Sequence, residues 1–159
     1  MQNEKGINMS AVDDYEGMVV SSTDGKNVFA GVPQEVIRLL AEFAKDYEDK
    51  SFIQMRCLLA DDFRGNFAGR KTADGLISVF RNYRLQIPFF MKVRMTIAIR
   101  KIMAEGEREF AGVIELNTRA KVFGRFFGYS FTTPPLLMTA TAGKPGEWQF
   151  SGLDEEIDP

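Results

Sequence analysis

Residues of the types that carry out most enzyme chemistry are scarce in this chain. It contains no histidine and a single cysteine, Cys57, among 159 residues. The lack of histidine excludes Ser–His and Cys–His catalysis and leaves few ligands for a transition metal. Cys57 is expected to be a buried, apolar side chain, because no histidine can activate it as a nucleophile. The sequence therefore predicts no metal site and no cofactor.

Two neighbouring carboxylates, Asp61 and Asp62, are the candidates for acid–base chemistry, and they follow a predicted helix. If an apolar pocket enclosed Asp62, its side chain could act as a general base, with Asp61 as the second choice. The alternative is that both carboxylates lie in water at a helix end. Arg64 and Asn66 leave a similar choice between contact with a ligand and hydrogen bonds within a loop.

Composition and charge limit the classes of function. Apolar residues make up 45% of the chain and charged residues 26%, which is ordinary for one globular domain. The net charge of −2 predicts no bulk attraction to nucleic acid or to an anionic membrane. No apolar run approaches the length of about 20 residues that a transmembrane helix needs. The first residues show no signal peptide, so a cytoplasmic location is expected; an exported protein whose signal had been removed would look the same.

One long stretch must position whatever chemistry the chain performs. Residues 91–100 alternate strictly between the two faces of a strand, and residues 110–122 alternate again. This pattern predicts a long antiparallel β-hairpin with one apolar and one polar face. For polar residues to face each other, the numbers of facing residues must sum to an odd value. The alternation slips at Lys101-Ile102, which predicts a bulge or an odd-length turn there.

Charged residues mark the polar face of this hairpin. The predicted register brings Glu115 within reach of Arg94 or Arg100, a surface pair worth less than about 1 kcal/mol. The remaining cations of the face are expected to be solvated, or to form a polar dimer surface. They are Lys92, Arg94, Arg119 and Lys121.

Helical periodicity precedes the hairpin, and further strands follow it. Apolar residues at helical spacing predict helices over 33–48 and 52–60, and a third that begins after Thr72 and ends before Pro88. Between them, 63–69 is expected to be a short strand or a bent extended piece. Strands are predicted over 136–142 and 148–153.

The remaining segments are harder to assign. Residues 1–32 are expected to form an arm, in which 15–30 could be a short hairpin because Asp24-Gly25 is a turn signal. A domain is predicted over 33–153, followed by an acidic tail at 154–159. The run 123–131 holds five aromatic residues and is interpreted as a pocket lip or a dimer contact, since it lacks the pattern of an RNA-binding motif.

Together these elements predict an α+β fold, with three N-terminal helices packed on a long, strongly curved antiparallel sheet. Their order resembles the nuclear transport factor 2-like superfamily, which includes SnoaL-type cyclases and ketosteroid isomerases. The resemblance is carried by the segment 57–63, which ends Asp-Asp-Phe, the helix 73–80 and the closing strand 147–152, Glu-Trp-Gln-Phe-Ser-Gly.

The resemblance implies a cystatin-like cone with an open-ended pocket between helices and sheet, commonly in a dimer. Isomerase members use a pocket aspartate as base with a tyrosine and a protonated acid as donors; SnoaL-type members use an acidic residue, often with histidine. Here Asp62 is the acid nearest the expected place, and no matching acid lies on the strands. The residues expected to line the pocket are Tyr47, Phe63, Phe80, Tyr83, Val93, Met95, Ile97, Ile114, Leu116, Tyr129 and Trp148.

Three functions are consistent with these observations. The first is non-catalytic binding of a small hydrophobic ligand in the pocket. The second is a structural or protein-interaction module, acting as a homodimer through the sheet. The third is a SnoaL-like or isomerase-like enzyme that transfers a proton with Asp62. Nucleic acid and membranes are not expected as partners.

Overall fold

The computed structural model describes residues 18–122, 128–144 and 147–155. Within these ranges three helices pack with a six-stranded antiparallel sheet, in agreement with the predicted α+β class. The helices are α1 (Gln34–Asp49), α2 (Phe52–Cys57) and α3 (Ala73–Leu85); the strands are β1 (Val19–Ser21), β2 (Met91–Glu105), β3 (Glu109–Val122), β4 (Gly128–Thr132), β5 (Leu136–Lys144) and β6 (Glu147–Asp154).

The first and third helices match the sequence pattern closely. α1 begins after Pro33, buries the predicted apolar stripe and ends where Lys50 adopts a left-handed backbone with φ of 61°. α3 begins after Thr72, whose hydroxyl accepts a hydrogen bond of 3.1 Å from the Gly75 N–H. This bond satisfies one of the amide groups that a helix leaves free at its start.

α2 is shorter than predicted, since it ends at Cys57 instead of residue 60. The prediction that Cys57 is buried is wrong, because its side chain is exposed. Met55 is the residue of this helix that is buried in the core. A residue two positions further along lies roughly 200° around the helix, so Cys57 points away from the core.

The central hairpin has the predicted register. Each pair from Met91–Val122 to Ile99–Ile114 has residue numbers that sum to 213, an odd value. The register shifts after Ile99 and again after Ile102, on either side of the predicted slip. Of the two arginines considered for Glu115, Arg100 makes the contact, and its Nε lies 3.1 Å from Glu115 Oε1.

The strands after the hairpin lie along one edge of β3. The sheet order is β1-β2-β3-β5-β6, and β4 also pairs with β3. β4 lies along residues 117–121 of β3 and β5 along 109–114, so the two strands follow each other on the same side. Between them, the Thr133 N–H donates to the Leu116 carbonyl at 2.9 Å. β5 and β6 were predicted; β4 was not, and residues 123–127 of the aromatic run lie outside the described part.

The N-terminal segment contributes a strand to the sheet. β1 pairs with β2, with Val20 opposite Ile97, and Val20 is completely buried. Asp24-Gly25 lies in a turn as expected, and the Asn27 N–H closes it by donating to the Asp24 carbonyl at 3.0 Å. The turn does not lead into a local hairpin, since the partner strand is β2. Packed structure therefore begins before residue 33, where the domain was predicted to start. Residues 1–17 and 156–159 lie outside the described ranges.

The segment 63–69 is a bent extended piece held against β6, one of the two structures considered for it. The Arg64 N–H donates to the Ser151 carbonyl at 3.1 Å, and the Asn66 N–H donates to the Leu153 carbonyl at 3.0 Å. A Cβ at Gly65 would lie 2.9 Å from the Leu153 nitrogen and closer still to its carbonyl oxygen. Glycine at position 65 therefore permits the close approach of the two backbones.

Candidate functional site

An apolar pocket of about 410 Å³ lies between the C-terminal halves of α1 and α3 and the end of the sheet where β2, β3 and β4 meet. Its described lining contains no acidic, basic or cysteine side chain. The lining residues are Tyr47, Phe67, Phe80, Tyr83, Gln86, Ile87, Met95, Leu116, Thr118, Tyr129, Ser130, Phe131 and Thr133.

Aromatic rings form one wall of this pocket. Phe67 stacks on Phe80 with a centroid distance of 5.1 Å and an angle of 9° between the rings. Tyr47 meets Phe80 edge-on at 6.1 Å. On the opposite side, Tyr129 and Phe131 pair with Ala120 and Thr118 of β3, so their side chains extend from the apolar face of the sheet. Such a wall offers flat apolar surface to a ligand.

Hydroxyl groups supply the polar character of the pocket. Burial raises the pKa of the Tyr47 hydroxyl, and a hydrogen bond with the Thr118 side chain acts in the opposite direction. Tyr47 is therefore protonated at neutral pH, and its hydroxyl is a hydrogen-bonding group instead of a proton acceptor.

A buried cation lies beside the tyrosines of the pocket. Arg84 is only 6% exposed, and its Nε and Nη2 donate to the Tyr47 and Glu48 carbonyls at 3.0 and 2.8 Å. These carbonyls belong to the last turn of α1, where a helix carries partial negative charge. Burial lowers the pKa of Arg84, and the nearby Tyr47 and Tyr129 oppose that change. Arg84 thus ties α3 to the end of α1 and fixes the pocket wall.

No family model matches the sequence, and no curated protein sequence matches it at a significant level. Among solved structures, ActVI-ORFA from Streptomyces coelicolor is 12% identical with a TM-score of 0.58, over 80% of this chain and 95% of that chain. The chain has the nuclear transport factor 2-like fold.

Two further structures share this fold with the chain. A putative calcium/calmodulin dependent protein kinase II association domain from Xanthomonas campestris is 10% identical with a TM-score of 0.59, over 81% of this chain and 91% of that chain. A putative scytalone dehydratase from Novosphingobium aromaticivorans is 11% identical with a TM-score of 0.57, over 76% of this chain and 80% of that chain. Identities this low show a common fold and leave activity open.

Within the nuclear transport factor 2-like fold, the predicted pocket residues fall into separate groups. Phe63, Ile97 and Ile114 surround an interior void of only about 20 Å³, too small for a ligand. Val93 is buried in the core outside the described lining of the pocket, and Trp148 lines a second groove of about 340 Å³ beside α1 and α2. The six that line the 410 Å³ pocket are Tyr47, Phe80, Tyr83, Met95, Leu116 and Tyr129.

The candidate acids lie outside the pocket. Asp61 and Asp62 are both exposed in the turn that follows α2, and neither belongs to the described pocket lining. Arg56 Nη2 lies 3.5 Å from Asp61 Oδ1. Arg64 donates its Nη1–H to the Phe63 carbonyl at 3.0 Å, which is a hydrogen bond within the loop. The structure thus shows solvated carboxylates where a pocket base was considered.

Sequence reasoning missed Thr118 in the pocket lining and Arg84 beside the pocket, although both had left a signal in the sequence. Thr118 is a polar residue on the apolar face of its strand, in line with Leu116 and Ala120. Arg84 continues the helical stripe of Leu76 and Phe80 at a spacing of four, where an apolar residue is expected. A polar residue in an apolar stripe indicates either a buried hydrogen bond or a site.

Within the described ranges, no group of three or more His, Cys, Asp or Glu side chains is placed to hold a metal ion. No helix in the same ranges is long and apolar enough to cross a membrane.

Proposed function

We propose that this protein binds a small, largely apolar molecule in the 410 Å³ pocket and does not convert it. The observation that carries the proposal is the combination of an aromatic wall with a described lining that has hydroxyl and amide groups and no charged group. The volume falls in the range of about 300–1,000 Å³ that is usual for small-molecule sites.

The lining indicates the chemical class of the ligand. The rings of Phe67 and Phe80 favour a flat ring system or a branched apolar body. The hydroxyls of Tyr47 and Thr118 suit one oxygen or nitrogen that accepts or donates a hydrogen bond. A compact apolar ligand with a single polar group satisfies both parts of the site.

Catalysis is the weaker alternative for this site. The solved structures of the same fold include a protein named hexachlorocyclohexane dehydrochlorinase, 12% identical with a TM-score of 0.55. In this chain, Asp62 is exposed, and the described pocket lining offers no carboxylate or imidazole to accept a proton. A proton-transfer enzyme needs such a group within hydrogen-bond reach of its substrate.

The experiment is a binding titration with the neutral fluorescent probe N-phenyl-1-naphthylamine, alongside native mass spectrometry of protein purified under mild conditions. Leu116→Phe adds bulk to the pocket, and Leu58→Phe makes the same change in the groove beside Trp148. We expect Leu116→Phe to weaken probe binding at least tenfold and Leu58→Phe to leave it unchanged.

Two outcomes would refute the proposal. One is the absence of both probe binding and any retained small molecule in the wild-type protein. The other is an equal loss of probe binding in the two variants, which would show that the probe does not report on this pocket. Thermal denaturation of both variants checks that each is folded.

A further inference from the structure

Two phenylalanines project from the turn between α3 and β2. Phe89 is 87% exposed and Phe90 is 57% exposed, and their rings meet edge-on at 5.6 Å. They directly precede Met91, the first residue of β2. Large apolar side chains held this far into water are costly, so an exposed pair of them indicates a contact surface.

Other exposed apolar side chains lie at the same end of the molecule. Met91 pairs with Val122 and Lys121 pairs with Gly128, so β2 and β4 both begin where β3 ends. The C-terminal end of α3 leads into the connection that carries Phe89 and Phe90, so it lies at this end as well. Of the ten large apolar side chains exposed in the described part, six are therefore at this end: Tyr83, Leu85, Phe89, Phe90, Tyr129 and Phe131.

Four cations lie on the polar face of the sheet beside these side chains. In the register of the hairpin, Lys92 faces Lys121 and Arg94 faces Arg119. All four are exposed, and they line an open hollow of about 520 Å³ in which Glu48 is the one acidic residue in the described lining. The Glu48 carboxylate accepts a hydrogen bond of 2.8 Å from the Met95 N–H.

Like charges directly opposite each other weaken a pair of strands. Among the described residues, these four cations form no salt bridge with a carboxylate. An external anionic surface would remove the repulsion between them. We refer to the six apolar side chains and the four cations together as the aromatic–basic end.

We propose that the aromatic–basic end docks on the surface of an anionic lipid bilayer. Phe89 and Phe90 would enter the boundary between headgroups and acyl chains, and the four cations would contact lipid phosphates. Arg94 and Arg119 lie two residues further from this end of the hairpin than Lys92 and Lys121, about 7 Å from them. This stagger matches the shallow depth of about 5–10 Å to which interfacial apolar groups enter a bilayer.

A bilayer suits this end better than a folded acidic protein does. Phe89 projects from a turn with 87% of its surface exposed, so a protein partner would need a preformed hole for it, while lipid adapts to its shape. The net charge of −2 describes the whole chain, whereas this proposal depends on the local concentration of cations. The proposal does not require the apolar pocket to hold a ligand.

The experiment is co-sedimentation of the full chain with vesicles of phosphatidylcholine, with and without phosphatidylglycerol. We expect binding only to the vesicles that contain phosphatidylglycerol, and no binding to those of phosphatidylcholine alone. Phe89→Ser with Phe90→Ser should weaken that binding about tenfold or more, since two buried rings are lost. Lys92→Gln with Lys121→Gln should weaken it roughly 30-fold, at about 1 kcal/mol for each cation near the surface.

Matched controls are available elsewhere on the surface. Ile53→Ser removes another apolar side chain that is 81% exposed, and Lys45→Gln removes an exposed cation of α1. Neither change should alter vesicle binding. All the substituted residues are exposed, so the variants should fold, which circular dichroism verifies.

Three results would overturn the proposal. The first is the absence of binding to either kind of vesicle. The second is binding that the control substitutions weaken as much as the substitutions at the aromatic–basic end. The third is a wild-type dimer, seen by sedimentation velocity, that Phe89→Ser with Phe90→Ser dissociates, which would assign the aromatic side chains to contact with a second copy. None of these results bears on probe binding in the pocket.

Discussion

Two charged side chains lie in surroundings that disfavour their charge. Burial raises the pKa of Asp46 to about 6, Glu42 and Asp49 add to the increase, and Lys45 opposes it. Burial likewise lowers the pKa of Arg84. The two cases differ, because Arg84 donates two hydrogen bonds to the end of α1, and these compensate in part for its burial.

The first prediction concerns Asp46→Asn. The folded-state pKa of about 6 lies above the unfolded value of about 4, so the folded state binds the proton more tightly. Stability due to this group is therefore highest below about pH 4 and falls as the pH rises through 6. Asp46→Asn should raise the free energy of unfolding by about 1–2 kcal/mol at neutral pH and have little effect near pH 4.

Urea denaturation at both pH values measures this difference. Asp61→Asn is the control, because Asp61 is exposed, lies 3.5 Å from Arg56 and is not among the groups that shift the pKa of Asp46. It should change stability by less than about 0.5 kcal/mol. An equal gain for Asp46→Asn at both pH values would show that its charge is not the cause.

The second prediction concerns Arg84→Lys. An ammonium group cannot reproduce the planar guanidinium that reaches the Tyr47 and Glu48 carbonyls together, so one of these two hydrogen bonds should be lost. The expected loss is about 1–3 kcal/mol in the free energy of unfolding. Arg81→Lys, on the exposed face of α3, should be neutral in the same urea titration. Equal effects of the two variants would argue against the role given to Arg84 in joining the helices.

At the scale of elements, the β2–β3 hairpin combines a well-packed face with a face of repelling charges. Ile97 and Ile99 are completely buried on one side. On the other side Lys92 is directly opposite Lys121. Such a pair costs stability, by up to about 1 kcal/mol, that the apolar face must offset.

The third prediction is that Lys92→Glu stabilises the protein. It converts a repelling cross-strand pair with Lys121 into an attractive one, worth about 0.5–1 kcal/mol at low salt. Thermal denaturation at low and high salt measures the gain, which salt should reduce. Lys92→Glu combined with Lys121→Glu restores like charges and should abolish it. The same substitution at Lys101, which faces Val113, is the control. A gain that salt does not affect would contradict the electrostatic explanation.

At the scale of the whole molecule, β1 joins the N-terminal segment to the core built by the helices and the hairpin. Val20 is completely buried, while its neighbour Val19 is 42% exposed. We therefore expect residues from 18 onward to unfold together with the rest. A homodimer through the sheet and a cytoplasmic location stay predictions from the sequence.

The fourth prediction concerns Val20→Ala, which tests whether β1 unfolds together with the rest of the domain. The cavity left in the core should lower the free energy of unfolding by about 2 kcal/mol and move a single cooperative urea transition as a whole. Val19→Ala should have little effect. Two separate transitions, or equal effects of the two substitutions, would show that β1 is an appendage to the domain.

The sequence by itself determined which face the residues of α1, β2 and β3 present. The alternation over 91–100 and 110–122 set the parity of the β2–β3 register, and the stripe from Val36 to Tyr47 set the buried face of α1. These features are periodic, so neighbouring residues along the chain carry the information. The order of three helices before the long strands likewise indicated the α+β class.

Only the tertiary structure decided where along those faces the pocket lies. Met95 and Ile97 share one face of β2, yet Met95 lines the pocket and Ile97 is covered by packed side chains. Alternation identifies a face but not what covers each part of it, because covering side chains such as Phe63 come from distant segments. For the same reason, the exposure of Asp62 and the position of the aromatic–basic end depended on how the elements pack.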